Sequence, residues 1–513
     1  TTKGYSNMVK IYKILFFLQY MTLAAIFILF ISCNFTFSPM QALSAETSIP
    51  VNIEDTRQVI EGFGGSNAWM GLPGNANLRN EVVQLLFSKT KGIGLSIIRN
   101  RIPFRELNKD GNDDKFVNKD VNGNYLYSEN NGIKTYSLNW TNWDLQNTKT
   151  LITMINNLPP EEKPETLLIM STPWTPPNNV VTQWKLNVPN IQDYPEIGGY
   201  LNPARYQDYA DLLADYATQF STQMGHPLSV LSIQNEPTWE PNYESCKWDG
   251  NQIREYLKVL GNRFALKNVS SSIKIMAPED ENFKEDLLVP TFADQDARNA
   301  LSIVGVHQYD YKFKYNLAAQ KLTNTKLYNK KLWMTEVSDG GPNDSSINDG
   351  LLWAQMIHYD MVIAEVNAFL YWWLWTNVAS TNQSGSSLLH VVNNASILKN
   401  KRLFTIGQYS RFVRPGYYRL NGISEPLPGI LISIYRSPDS KKLVIVGINS
   451  NSADKNVQFE LQGINVESEV QLWRTSQEED VTEIARLGNC IVNNGSIVVR
   501  FAPFSVTTVT IEL

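Results

Sequence analysis

Two glutamates carry the chemistry this sequence can offer. Glu236 sits in the tripeptide Asn235-Glu236-Pro237, which ends the apolar run "LSIQ" and is followed by Trp239. Glu336 ends the run "KLWMTE". A protonated carboxyl and an ionised one facing each other across a cleft can cleave a glycosidic bond. They do so with retention when about 5–5.5 Å apart and with inversion at about 6.5–9.5 Å. Further polar and aromatic residues close other apolar runs in the same manner: Arg99 and Arg101, Trp174, His307 and Tyr309, and Trp372, Trp373 and Trp375. Arg99 and Tyr309 beside Glu336 are expected to keep it anionic, while Glu236, sharing the cleft with that charge, stays protonated. Asn235 is then placed to donate to a sugar hydroxyl next to the anomeric centre.

Each feature alone also has a plainer reading. Asn-Glu-Pro is a turn signal, Glu336 and Arg99 suit structural ion pairs, His307 suits a satisfied core position, and the Trp cluster suits barrel packing. Strand alternation predicts that Trp372 and Trp373 face opposite sides. What separates the readings is co-occurrence, because all these groups fall at the ends of strand-like segments.

Those segments number eight: 59–67, 94–104, 165–177, 228–237, 272–280, 301–310, 331–341 and 368–377. Amphipathic stretches such as 204–224 and 350–366 lie between most of them, with apolar residues recurring at three and four. Eight strand–helix units predict an α/β fold, a (β/α)8 TIM barrel, whose active site gathers at the C-terminal strand ends. A doubly wound sheet is the alternative, but no Gly-rich phosphate loop follows any strand, "GFGG" at 62–65 being too short. After Arg411 the pattern turns to short alternating strands with Asn, Gly, Ser and Asp turns, predicting an attached all-β sandwich domain. No low-complexity linker separates the two, so their interface is expected to be fixed.

Composition narrows the chemistry. The 513 residues are 43% hydrophobic and 19% charged, with net charge −5. No basic stripe recommends nucleic acid as a partner. The three cysteines (Cys33, Cys246, Cys490) form no CxxC pair, and four scattered histidines support no metal site. No cofactor, metal or obligate protein partner is expected. Thirteen Trp and 23 Tyr suit sugar binding or ordinary core packing alike. Near the N-terminus, Lys10 and Lys13 precede an apolar run from Ile14 to Ile31, followed by Ala42, Ser44 and Ala45. That pattern predicts a secretory signal peptide cleaved near Ala45 and an extracellular protein. An uncleaved anchor, or lipidation at Cys33, are the alternatives.

Together, "VIEGFGGSNAWM", "STPWTPP", "SIQNEPTW", "GVHQYD", "KLWMTEV", "YWWLW", "IGQYSRFVRPGYYRL" and "FAPFSVTTVTIEL" resemble glycoside hydrolase family 30. The likeness spans residues 50–513 and is nearest to the bacterial xylanases and glucuronoxylanases. It implies a retaining enzyme with Glu236 as acid/base and Glu336 as nucleophile. Tyr309, Arg99 and Asn235 match supporting positions, and Trp174, Trp69 and Trp373 match sugar-facing ones; Trp239 and His307 complete the candidate site. With the leader read from the N-terminal pattern at 1–45, the resemblance implies a strand at 46–58 joining the sandwich, a barrel over 59–404 and the sandwich over 405–513. Many relatives hold a glucuronic acid branch with an arginine after strand eight. Here that place reads Leu374-Trp375-Thr376-Asn377, with no Lys or Arg before Lys399, and Lys247, Arg101 and Arg105 are the substitutes at hand. The expectation is a β-1,4-xylanase independent of a glucuronate branch. Its alternatives are a β-1,6-glucanase or galactanase, an exo-acting xylosidase or xylobiohydrolase, and a non-catalytic carbohydrate-binding protein.

Overall fold

A computed structural model describes residues 43–106, 113–311, 319–380, 385–461, 469–493 and 495–513. The leader and Cys33 lie outside the described residues. Eight parallel strands form the barrel: β1 (Gly62–Ser66), β2 (Ile97–Ile102), β3 (Leu168–Pro173), β4 (Val230–Ser232), β5 (Lys274–Asp280), β6 (Ile303–His307), β7 (Lys331–Glu336) and β8 (Ala368–Val378). β8 pairs with both β7 and β1, which closes the sheet. Seven fall within the predicted segments, and β8 runs one residue past the eighth. The floor of the barrel is filled by Ile97, Met170, Val230, Met276, Ile303, Trp333, Ala368 and Leu370, so the lower half is solid packing and only the upper rim is free for chemistry.

Helices follow the strands: α1 (Ala76–Phe87), α2 (Trp143–Asn156), α3 (Tyr206–Met224), α4 (Gly250–Leu266), α5 (Val289–Ala293), α6 (Gln295–Ala300), α7 (Thr323–Leu327), α8 (Ile347–Tyr359) and α9 (Lys401–Ser410). Local chemistry sets their ends. The Asn142 side chain accepts from the amides of Asp144 and Leu145 to start α2. Asp249 and Gln252 form a reciprocal capping box on α4. Gly225, at φ 71°, ends α3 in the left-handed conformation that glycine adopts without a Cβ clash. Beyond β8 the barrel sheet continues into β9 (Ser387–Val392) and β10 (Ser396–Lys399), an extension absent from the sequence reading. Their short polar-flanked runs carry no periodicity that distinguishes them from loop.

Two further sheets stand beside the barrel. One has four strands, including Thr47–Val51, Lys455–Leu461 and Ser496–Phe501. The other has seven, among them Thr56–Val59, Ile430–Arg436, Lys442–Asn449 and Ser505–Glu512. Ile430, Ile432, Ile434, Val457, Phe459 and Phe501 meet in the core between them. The alternate residues Leu431, Tyr435, Val444, Val446 and Ile448 belong to the large core that includes the barrel helices. Burial on both faces explains why "ILISIY" and "LVIV" read as near-continuous apolar runs.

Arg402 pins α9 to α8. Its guanidinium is fully buried and forks onto Asp349 at 2.8 and 2.9 Å while also donating to the Tyr371 hydroxyl at 2.6 Å. Arg402→Met strands a buried carboxylate and is expected to lower stability by about 3–5 kcal/mol, measured as a fall in the urea midpoint at constant slope.

Candidate active site

Four strand ends converge on one buried guanidinium. Arg99, on β2, donates through Nη1 to Glu336 Oε2 at 2.6 Å, through Nη2 to Asn235 Oδ1 at 2.6 Å and through Nε to Glu279 Oε1 at 3.1 Å. Its Cζ lies 4.8 Å from the Trp174 ring centroid and 5.7 Å from that of Trp372. The backbone sets the acceptors in place: Asn235 N donates to Pro173 O and Glu236 N to Glu279 O, both at 2.9 Å. Glu236 and Glu279 take φ of 44° and 55°, a left-handed conformation that is costly for side-chain-bearing residues and concentrates at working sites. Because Asn235 Oδ1 accepts from Arg99, its NH2 end is the one turned away from the guanidinium.

The Tyr309 hydroxyl donates to Glu336 Oε1 at 2.9 Å, so both oxygens of Glu336 accept hydrogen bonds. His307 Nδ1 is 3.1 Å from Glu236 Oε1, and Nε2 lies 3.8 Å from both Glu279 and Glu336. An oxygen of Glu236 and one of Glu336 approach within 4.8 Å. Burial works against a charge on His307, but the surrounding Glu336, Glu236 and Glu279 outweigh it and raise the imidazole to about 10. His307 is therefore a cation. Burial also disfavours the Glu279 charge, yet Arg99 and His307 hold that carboxyl down at about 2. For Glu336, burial pushes the carboxyl up and the Glu236 charge adds to the rise, while His307, Arg99 and Tyr309 oppose it. This differs from the expectation that Arg99 and Tyr309 alone hold Glu336 down: full enclosure and a facing carboxylate act in the other direction.

Above this cluster opens a cleft of about 700 Å³ lined by Trp69, Met70, Trp174, Glu236, Trp239, Tyr243, Glu281, Tyr309, Glu336, Ser338, Trp372, Trp373 and Ser386. Trp69 stands edge-on to Trp174 at 4.9 Å, and Trp372 stacks on Trp373 at 5.1 Å. Trp239 is 48% exposed at the rim. The predicted opposition of Trp372 and Trp373 is corrected: the β8 register slips between Tyr371 and Trp373 opposite β1. A bulge inserts one unpaired residue and resets the alternation, so both rings line the cleft.

A second cationic hub lies alongside. Arg101 is buried and donates to Glu244 at 2.7 Å and Asp144 at 2.8 Å, and also pairs with Asp114. Three carboxylates leave it no valence for a substrate acid. Arg105 pairs with Asp114 at 3.5 Å, and Lys247 with Glu240 at 2.7 Å.

The profile of O-Glycosyl hydrolase family 30 matches residues 46–298, which include Arg99, Glu236 and Glu279. The chain belongs to glycoside hydrolase family 30. It is a glycoside hydrolase. Glucuronoxylanase XynC of Bacillus subtilis is 26% identical over 449 residues, 86% of either chain. Among solved structures, the family 30 subfamily 8 xylanase Xyn30A of Clostridium acetobutylicum superposes with a TM-score of 0.68 at 26% identity, covering 91% of this chain and all of the other. The endo-β-1,6-glucanase BT3312 shares the fold at 19% identity and a TM-score of 0.64, over 92% of this chain and 96% of its own.

In this family 30 chain, seven of the predicted site residues line the cleft (Glu236, Glu336, Tyr309, Trp174, Trp69, Trp373, Trp239), while Arg99 and His307 are buried and bonded to glutamates, and Asn235 is buried and bonded to Arg99. Sequence reasoning missed Glu279, Tyr243 and Glu281. Glu279 is the penultimate residue of β5, in the segment "SIKIMAPED", so taking the polar residues at that strand end as at the others finds it. His307 yields a test. Its raised affinity for the proton stabilises the fold fully below about pH 6.5 and that contribution disappears as pH climbs through about 10. The stability gap between wild type and His307→Gln, from urea melts at about pH 6, 8 and 10, is expected to narrow steadily; a constant gap refutes the charged histidine.

Proposed function

We propose that this family 30 enzyme is an exported, retaining hydrolase of β-1,4-xylan that does not require a glucuronic acid branch. The observation that carries the mechanism is the approach of Glu236 and Glu336 oxygens to within 4.8 Å. So close an approach of the two carboxylates suits direct attack by one of them, as in a retaining enzyme. Glu336, with both oxygens oriented by Arg99 and Tyr309, attacks the anomeric carbon. Glu236 gives its proton to the glycosidic oxygen as the C–O bond breaks, leaving a glycosyl ester on Glu336. Water then attacks the same carbon, Glu236 takes its proton, and the ester is released. Two displacements restore the original configuration. The NH2 end of Asn235 is available to a sugar hydroxyl beside the reacting carbon.

The xylan assignment draws on the Bacillus and Clostridium relatives named above. Independence from glucuronate rests on this chain's own residues. A carboxylate branch calls for an accessible, preferably bidentate cation. Arg101 is consumed by three acids, Lys247 pairs with Glu240, and the chain from Thr376 to Leu398 contains neither Lys nor Arg. Export rests on the basic, apolar and small-residue pattern before Glu46.

The roles are tested by azide rescue on an activated aryl β-xyloside. Glu336→Gly with azide is expected to yield the α-glycosyl azide, and Glu236→Ala the β-glycosyl azide; exchanged anomers reverse the assignment. Glu336→Gln is expected to lose at least about 10³-fold in kcat. For the substrate, product profiles are compared on linear xylo-oligosaccharides, arabinoxylan, glucuronoxylan and β-1,6-glucan. Cleavage of unbranched xylo-oligosaccharides is expected; turnover confined to glucuronoxylan or to β-1,6-glucan refutes the reading.

A further inference from the structure

Trp143 is the first residue of α2 and is 59% exposed, a large apolar surface to leave in water. Its position is fixed rather than loose. Asn147, one turn on, donates to the Trp143 carbonyl at 2.9 Å and accepts from Leu72 N at 3.3 Å. Asp144, next to Trp143, accepts from Trp69 N at 3.2 Å. The start of α2 is thus stitched to the loop Trp69–Leu72, whose Trp69 and Met70 line the catalytic cleft. Gly71 lies between, and a Cβ there would stand 2.9 Å from the Trp143 ring, so the absence of a side chain lets the indole lie against the loop. From the other side, Trp375 Nε1 and the exposed Asn377, through Nδ2, donate to Gly71 O at 3.0 and 2.7 Å. An indole and an amide therefore flank one glycine, two residues along the loop from Trp69, which lines the cleft.

We propose that Trp143, with Asn377 beside it, is a distal sugar-binding platform that holds a residue of a polysaccharide chain extending out of the catalytic cleft past Trp69. The flat indole offers an apolar face matching the C–H face of a pyranose, and Asn377 offers its amide oxygen to a hydroxyl. The platform takes neutral sugar units, since neither group carries a charge. This inference rests on the polysaccharide reading of the cleft and specifies how far along the chain the enzyme grips.

The test compares Trp143→Ala, Trp143→Phe and wild-type enzyme on a polymer and on an aryl glycoside too short to reach beyond Trp69. The polymer is whichever of linear xylan and β-1,6-glucan the wild type cleaves; failure on xylan overturns the substrate assignment and leaves this comparison to be made on the other. The ratio of kcat/KM on polymer to that on the short substrate is expected to fall about 5-fold in Trp143→Ala, through KM, and less in Trp143→Phe. An unchanged ratio overturns the proposal. Equal losses on both substrates also overturn it, because they mean that the indole merely props the Trp69 loop.

Discussion

A guanidinium shut away from water must have every donor matched and its charge balanced, or the fold cannot hold it. Arg99 meets that demand with Glu336, Asn235 and Glu279 around its edge and two indoles near its faces. The acceptors come from the ends of β4, β5 and β7, and the indoles from β3 and β8. Satisfying one buried cation therefore fixes the relative positions of most of the barrel mouth. The same contacts orient Glu336 directly, and they hold Glu279, whose carbonyl accepts from the backbone of Glu236. In this molecule the stability problem and the geometry of the candidate site are one problem.

Charge balance explains the composition of the cluster. Glu236, Glu279 and Glu336 can carry three negative charges, and Arg99 and the raised His307 carry two positive ones. Full ionisation leaves one negative charge in excess. Glu279 lies beneath the cleft and reaches no substrate, yet it holds Arg99 and His307 in place. The left-handed backbone at Trp69, Glu236 and Glu279 costs about 1–3 kcal/mol per residue, and the dense hydrogen bonding around it keeps those side chains aimed.

Arg101, two residues along the same strand, shows how different a neighbour can be. It meets three carboxylates and no cleft surface. It ties β2 to the start of α2 and to the loop carrying Glu244, and through Asp144 to Trp69 N. Its charge is spent on the architecture of the rim. A substrate acid finds no free guanidinium at Arg101.

The order of elements was legible along the chain, because strand and helix periodicities and turn residues are local properties. So was the list of groups at the strand ends, since a closed parallel barrel brings those ends to one rim whatever the intervening loops do. Glu236, Glu336, Arg99 and Tyr309 follow from that rule, and so did Glu279 had β5 been read as the others were. The tertiary structure alone decided three things. Arg101 is an internal strut because Asp114, Asp144 and Glu244, remote in sequence, fold onto it. Trp372 and Trp373 share a face because one slip of register against β1 overrides alternation. His307 is a cation because three carboxylates from different strands surround it. Periodicity is written in neighbouring residues; pairing, register and electrostatic environment arise between residues that only the folded chain makes neighbours.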